Sequence, residues 1–221
     1  MKRRPTIFLL DCGVYRPDRN FRRAASACAA NAIPVSFALL PARVNQELCD
    51  YLRQLQKEAS FCSVQYGCKN RAGSETSLKI FKQDMRSSME RLHNFCKNNF
   101  APVFVPPGMS CDADTAAVCD ELHFRVLAAG PRKTPFKTAM VHVLFDINLH
   151  EACKGKGPSV TSRKMMEMTA AKLEEAPCAG VYFSHANFSQ LDLSAFEQYC
   201  VLLKKFATEH KVRLALLSEL T

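Results

Sequence analysis

The stretch Thr6-Ile7-Phe8-Leu9-Leu10-Asp11-Cys12-Gly13 sets the reading of the whole chain. Five residues of high β propensity or apolar character run into an aspartate and a glycine, which is the pattern of a short buried strand ended by a turn. The same unit recurs downstream, each time separated by a segment of helical period. Phe21–Ala32 is alanine-rich and helical, Pro34–Leu40 is a second strand, and Val44–Lys57 spaces Val44, Leu48, Leu52 and Leu55 by three and four. Phe61–Gln65 is a third strand. Ser74–Asn98 is the clearest helix, with Leu78, Phe81, Met85, Met89, Leu92 and Phe95 on one stripe.

Val103–Val105 follows as a strand stopped by Pro106-Pro107-Gly108. Then come a helix over Asp112–Leu122, strands over Arg125–Ala129 and Met140–Phe145, and a helix over Ser162–Glu175. A strand over Gly180–Ser184, a helix over Leu193–Thr208 and a strand over Val212–Leu217 close the series. Strands that alternate with amphipathic helices run parallel through right-handed crossovers. The spacing therefore predicts one α/β domain over residues 1–221, a single distorted (β/α)7-8 barrel, with Gly130–Thr138 and Lys154–Pro158 as surface excursions.

Composition narrows the function classes. The chain has 221 residues and is 48% hydrophobic, enough for a sizeable core. No apolar run approaches the roughly 20 residues of a membrane span. The basic start, Met1-Lys2-Arg3-Arg4-Pro5, precedes an apolar run too short for a secretory signal. Eleven cysteines occur without any C-x-x-C pair, and Cys28, Cys96, Cys119 and Cys200 lie among apolar residues at helical spacing. These four read as small buried hydrophobes of a reducing compartment, so the expected location is the cytoplasm. The net charge is +9, and it is uneven: residues 1–100 hold 17 basic and 8 acidic residues, whereas residues 101–221 hold 13 of each. That surplus calls for an acidic or anionic partner.

In a βα barrel the chemistry stands where strands end at their C-terminal side. Those places hold Asp11-Cys12-Gly13, then Gln65-Tyr66-Gly67-Cys68-Lys69-Asn70, Pro106-Pro107, a strand carrying His142 and Asp146, and Ser184-His185. The ordered set, with Gln-x-Gly-x-x-x-Arg-Ala after the third strand, resembles the polysaccharide deacetylase (NodB-homology) family from about residue 6 to 217. The resemblance implies a divalent metal, usually zinc, held by one Asp and two His, with a neighbouring Asp as base and a late His as acid. The implied reaction is hydrolysis of an N- or O-acetyl group on a sugar.

Carried over by position, Asp11 stands for the base and His185 for the acid. The metal-binding Asp is replaced by Cys12, and the two metal histidines by Tyr66 and Asn70. Asn is a poor zinc ligand and Tyr a rare one, so no metal is expected in the usual geometry. The expectation is a pseudoenzyme of carbohydrate metabolism: a divergent deacetylase-like protein with a degenerate metal site and impaired or absent activity. Gly13, Arg16, Gln65, Gly67, Cys68, Pro106, Pro107, His142, Asp146 and Ser184 would line the pocket or its rim.

Two alternatives stand beside it. One is an active hydrolase on an acetylated carbohydrate, its zinc site rebuilt from Cys12 and Cys68 with His142 or His185. The other is a basic nucleic-acid-binding protein, for which no basic-aromatic sequence motif is present. His93, His123, His150 and His210 read as surface or satisfied histidines. Arg16 and Arg19 after Asp11, and Lys69 and Arg71 beside Asn70, would ring the mouth, with Arg22 and Arg23 just behind. A carbohydrate or other small anionic ligand is therefore expected to prefer this rim.

Overall fold

In the computed structural model, the residues described are 4–55, 59–64, 75–96, 100–131, 136–153 and 157–221. They form nine parallel strands and six helices. The strands are β1 (Thr6–Val14), β2 (Val35–Leu39), β3 (Ala59–Val64), β4 (Phe100–Ala101), β5 (Val103–Phe104), β6 (Val126–Ala129), β7 (Val141–Asn148), β8 (Cys178–Phe183) and β9 (Arg213–Ala215). The helices are α1 (Arg19–Ala30), α2 (Gln46–Gln54), α3 (Glu75–Cys96), α4 (Ala113–Glu121), α5 (Pro158–Glu175) and α6 (Gln190–Glu209).

The strand path runs β4-β3-β2-β1-β8-β7-β6-β5, with β9 added to the lower end of β1. Its two ends, β4 and β5, are one stretch of chain interrupted by Pro102. That proline has no amide to give to a ladder, but its carbonyl accepts from Arg125 N at 2.8 Å. The sheet thus curls until its edges meet on residues 100–104, which is the expected barrel.

Side-chain alternation divides the core in two. Phe8 and Leu10 of β1 join Val103, Val126, Ala128, Val143 and Phe145 inside the curl, while Ile7 and Leu9 pack outward against the helices. The expected stripe of α3 faces this outer core: Met85 and Leu92 are fully buried, with Met89 and Phe95 packed against the cluster. Cys28, Cys119 and Cys200 are buried thiols in the same layer, and the side chain of Cys96 lies outside the described residues.

Helix starts follow their capping residues. Asp18, Asn45 and Asp112 each accept from a backbone amide three residues on at 2.9 Å. Ser189 and Asp192 form a reciprocal capping box on α6. β7 is longer than its sequence suggested. It continues past Phe145 to Asn148 through a register shift between Phe145 and Ile147. The sequence expectation stopped at Phe145, where the polar Asp146 interrupts the apolar run, although the burial alternation continues through Ile147. Gly180 lies where β7 and β8 come closest: a Cβ there would overlap the Leu144 carbonyl.

Candidate functional site

β1 and β8 are neighbours in the sheet, and Asp11 pairs in register with Phe183, so the strand ends carry Asp11 and Ser184-His185 side by side. Alternation sends Cys12 inward, beside Tyr182, and Asp11 outward under α1. There the Asp11 carboxylate meets His185. His185 Nδ1 donates to Asp11 Oδ2 at 2.9 Å and lies 3.1 Å from Oδ1, and the His185 backbone N donates to Oδ1 at 3.2 Å. The Phe21 ring of α1 packs edge-on against the imidazole at 5.1 Å. Asn20 Nδ2 ties down the turn by donating to the carbonyls of His185 and Phe188.

Both side chains are 0% exposed. Burial alone pulls the imidazolium down, but the Asp11 charge and hydrogen bond outweigh it, so the His185 pKa lies above its ordinary 6.5. His185 Nε2 is buried and has no hydrogen-bond partner among the described residues. Burial, and then the Asp11 charge, push the Cys12 thiol far above the ordinary thiol range. At neutral pH the free thiol is protonated and a weak nucleophile.

The mouth of the curl above Cys12 is apolar. Pro106 and Pro107 lead into a tight turn in which Gly108 and Met109 both take positive φ, 60° and 56°. Gly130 N donates to the Met109 carbonyl at 2.7 Å, and this holds the Met109 side chain in the inner core. Gly13, at φ 76°, lets β1 turn away just after Cys12.

The remaining candidates lie elsewhere. His142 stands near the start of β7, paired with Leu127, at the opposite end of the strand from Asn148. Asp146 is engaged by Lys172 of α5 at 2.6 Å, on the helix side of the sheet. Neither converges on Asp11. Gln65, Tyr66, Gly67, Cys68 and Asn70, with Lys69 and Arg71, lie outside the described residues, as do 132–135 and 154–156 of the two expected excursions. Among the described residues no three of His, Cys, Asp and Glu are placed to hold a metal ion.

His150, read from sequence as a surface or satisfied histidine, belongs to the strand-end set. It follows β7 directly; its Nε2 accepts from Ser184 N at 3.1 Å and its ring packs on Phe188 at 4.6 Å. Burial lowers its pKa, against the pull of Asp192, Ser184 and Asp11. Cys153, one turn on, is pushed up to about 12 by burial and by its hydrogen bond with Asp192. The sequence signal for both was the continued alternation through Ile147 to the end of β7.

The rim is basic and ordered by aromatic rings. The Arg16 and Arg43 guanidinium groups lie 5.3 and 5.0 Å from the Tyr15 ring centre, and Arg22 lies 4.3 Å from that of Tyr51. Arg16 and Arg22 also reach Asp18 and Glu47. Arg23 turns away from the rim to bond Glu197 of α6 through two nitrogens.

The sequence matches no protein-family model and no curated protein. Solved structures do match it. A pseudoenzyme of carbohydrate esterase family 4 from Bacillus anthracis superposes with a TM-score of 0.67 at 11% identity, over 100% of this chain and 66% of that one. A family 4 acetyl xylan esterase from Clostridium thermocellum, in complex with a cobalt ion, gives 0.67 at 10% identity over 97% and 89%. A family 4 esterase from Streptococcus mutans gives 0.64 at 12% identity over 97% and 86%. The chain thus spans about two-thirds of the length of the pseudoenzyme and most of the other two. It carries the curled parallel barrel of the family 4 carbohydrate esterases and polysaccharide deacetylases, a fold that active enzymes and pseudoenzymes share.

Proposed function

We propose that the protein is a non-catalytic, metal-independent binding or regulatory protein built on the deacetylase barrel, and that its basic rim takes an anionic carbohydrate. One observation carries the first half: both oxygens of Asp11 are engaged by His185, and the pair is sealed from solvent. A base must reach the proton it removes, and an acid its leaving group. Here each serves the other. The donor set does not fit zinc either: where the family has one Asp and two His, the resemblance puts Cys12, Tyr66 and Asn70, and Asn is a poor zinc ligand and Tyr a rare one.

The rim supports the second half. Arg16 and Arg43, held against Tyr15, offer planar donors to a carboxylate or phosphate. The buried thiols suit the reducing cytoplasm, and no helix among the described residues is long and apolar enough to cross a membrane.

Metal analysis of protein purified without added zinc, with an acetate-release assay on chitooligosaccharides, tests the reading. Substoichiometric metal and no acetate are expected. Stoichiometric zinc would sink it, and so would acetate release by the metal-free protein. Charge preference is read by titrating neutral and uronate-containing oligosaccharides at low salt. Equal weak binding of both refutes the anionic preference.

A further inference from the structure

At the N-terminal pole of the barrel, opposite the site above, lies a cavity of about 380 Å³. It forms where α1 and α6 end side by side. Each helix leaves through a residue of positive φ, Ala32 at 49° and Lys211 at 53°, and folds back into β2 or β9. The last helical carbonyls are consumed in these reversals. Ile33 N donates to Cys28 O and Val212 N to Ala207 O, each at 2.9 Å. The negative helix ends are thus capped and do not face the cavity as open acceptors.

Three cations border it: Arg4, Lys204 and Lys211. Arg4 Nε donates to the Lys211 carbonyl at 2.7 Å, which fixes the guanidinium while leaving both Nη groups without a bond to any described residue. Among the described residues no acidic side chain lines the space. The nearby carboxylates are drawn off, Glu209 to Lys205 at 3.8 Å and Glu219 to Arg213. The floor is apolar, with Ala32, Pro34 and Val212.

Lysines near a helix end are ordinarily solvated charges that favour the helix dipole. α6, however, has no basic residue in its last turn, and Lys204 sits further up, so the dipole does not account for it. Three unpaired cations over a small apolar floor match a dianion that carries a compact organic group. The volume lies within the range of small-molecule sites, roughly 300–1,000 Å³.

We propose that this cavity binds a small phosphomonoester, its phosphoryl group held by Arg4, Lys204 and Lys211 and its organic part on the Ala32–Pro34–Val212 floor. A phosphomonoester is close to doubly charged at neutral pH, and a guanidinium fork with two ammonium groups satisfies its three oxygens. This site is independent of the basic rim at the other pole.

The test is calorimetric titration of the full chain with inorganic phosphate, adenosine 5′-monophosphate, adenosine, and a single-stranded oligonucleotide lacking terminal phosphates. The monophosphate is expected to bind more tightly than phosphate, and adenosine not at all. Lys204→Ala and Lys211→Ala should each weaken the monophosphate about tenfold. Lys211→Gly repeats the loss while suiting the positive φ, which separates lost charge from a disturbed turn. Lys164→Ala, outside the cavity lining, should leave binding unchanged. Equal binding of adenosine and its monophosphate overturns the proposal, as does full affinity in both lysine variants. Full affinity in the lysine variants with loss in an Arg16→Ala, Arg43→Ala double variant would place the ligand at the rim instead. Lysine-dependent binding of the oligonucleotide without binding of the monophosphate makes the pole a nucleic-acid face and likewise refutes it.

Discussion

Asp11→Asn is the sharpest probe of the buried pair. The amide keeps the size of the carboxylate and one oxygen for His185 Nδ1–H, so the change is chiefly the loss of a charge. In the native protein a fully buried imidazolium faces a fully buried carboxylate. Removing one partner of such a pair costs about 3–5 kcal/mol. For a chain of this length each kcal/mol lowers the melting temperature by about 2–4 °C, so the drop at pH 6 is roughly 6–20 °C. The pH dependence carries the diagnosis. Because the folded His185 pKa is raised, the native state holds more protons than the unfolded chain from about pH 6.5 up to the folded value. The pair's stabilisation is therefore fully present below about 6.5 and is lost as pH rises through the folded pKa. In Asp11→Asn, burial is left unopposed and the His185 pKa falls below its ordinary value, so this histidine's contribution changes sign and is lost on acidification. Thermal melts followed by far-ultraviolet circular dichroism at pH 5.5, 7 and 8.5 read both effects. A variant melting within about 3 °C of the parent at pH 6, with the parent's pH slope, would refute the argument that the pair is a buried ionic contact.

Four further outcomes follow from the same geometry. Gly180→Ala forces a Cβ into the Leu144 carbonyl, and is expected to cost about 3 kcal/mol or more in urea midpoint or to abolish soluble yield. Gly157→Ala, with no atom within 4 Å of the added carbon, should stay within about 1 kcal/mol of the parent. His150→Phe keeps a ring against Phe188 but leaves Ser184 N without its acceptor, at a cost of about 1–3 kcal/mol. Since the His150 pKa is lowered, the deficit measured at pH 8 should narrow as pH falls below about 6.5, the reverse of the His185 effect. Cys12→Asp buries a second carboxylate beside Asp11; a loss of about 2 kcal/mol or more is expected. Added zinc should not recover it in a melt, and recovery would count against the metal-independent reading.

The barrel was legible because its units are local. An apolar run of five residues, a turn and an amphipathic helix declare themselves within about 30 residues, and right-handed crossovers leave few ways to assemble them. Features that depend on one strand's fit to another were not legible. β7 was read as ending at Phe145, three residues early, because Asp146 interrupts its apolar run and its pairing with β8 across the Phe145–Ile147 register shift is not visible locally, so His150 fell out of the site. Pro102 hid β4, a two-residue strand that closes the sheet together with the expected β5. The order of the family-like motifs was readable, but the orientation of Asp11 and Cys12 at one strand end was not put to use. Adjacent residues of a strand face opposite ways, and that rule alone separates a carboxylate under α1 from a thiol in the curl.

The Asp11–His185 contact joins residues 174 apart in sequence, where the end of β1 meets the end of β8. A hydrophobic pair of similar volume would stabilise that junction as well or better, because both charges must be stripped of water. What the ionic pair adds is direction. Two hydrogen bonds from His185 and two from Asn20 fix the turn after β8 in one orientation against β1, which an apolar contact between smooth surfaces would not. In a deacetylase barrel those strand ends must be held steady for catalysis. In this chain the residues that stand where the resemblance puts base and acid are instead closed on each other. On the non-catalytic reading proposed above, this contact serves the junction, and the basic surfaces at the two poles are what the binding experiments probe.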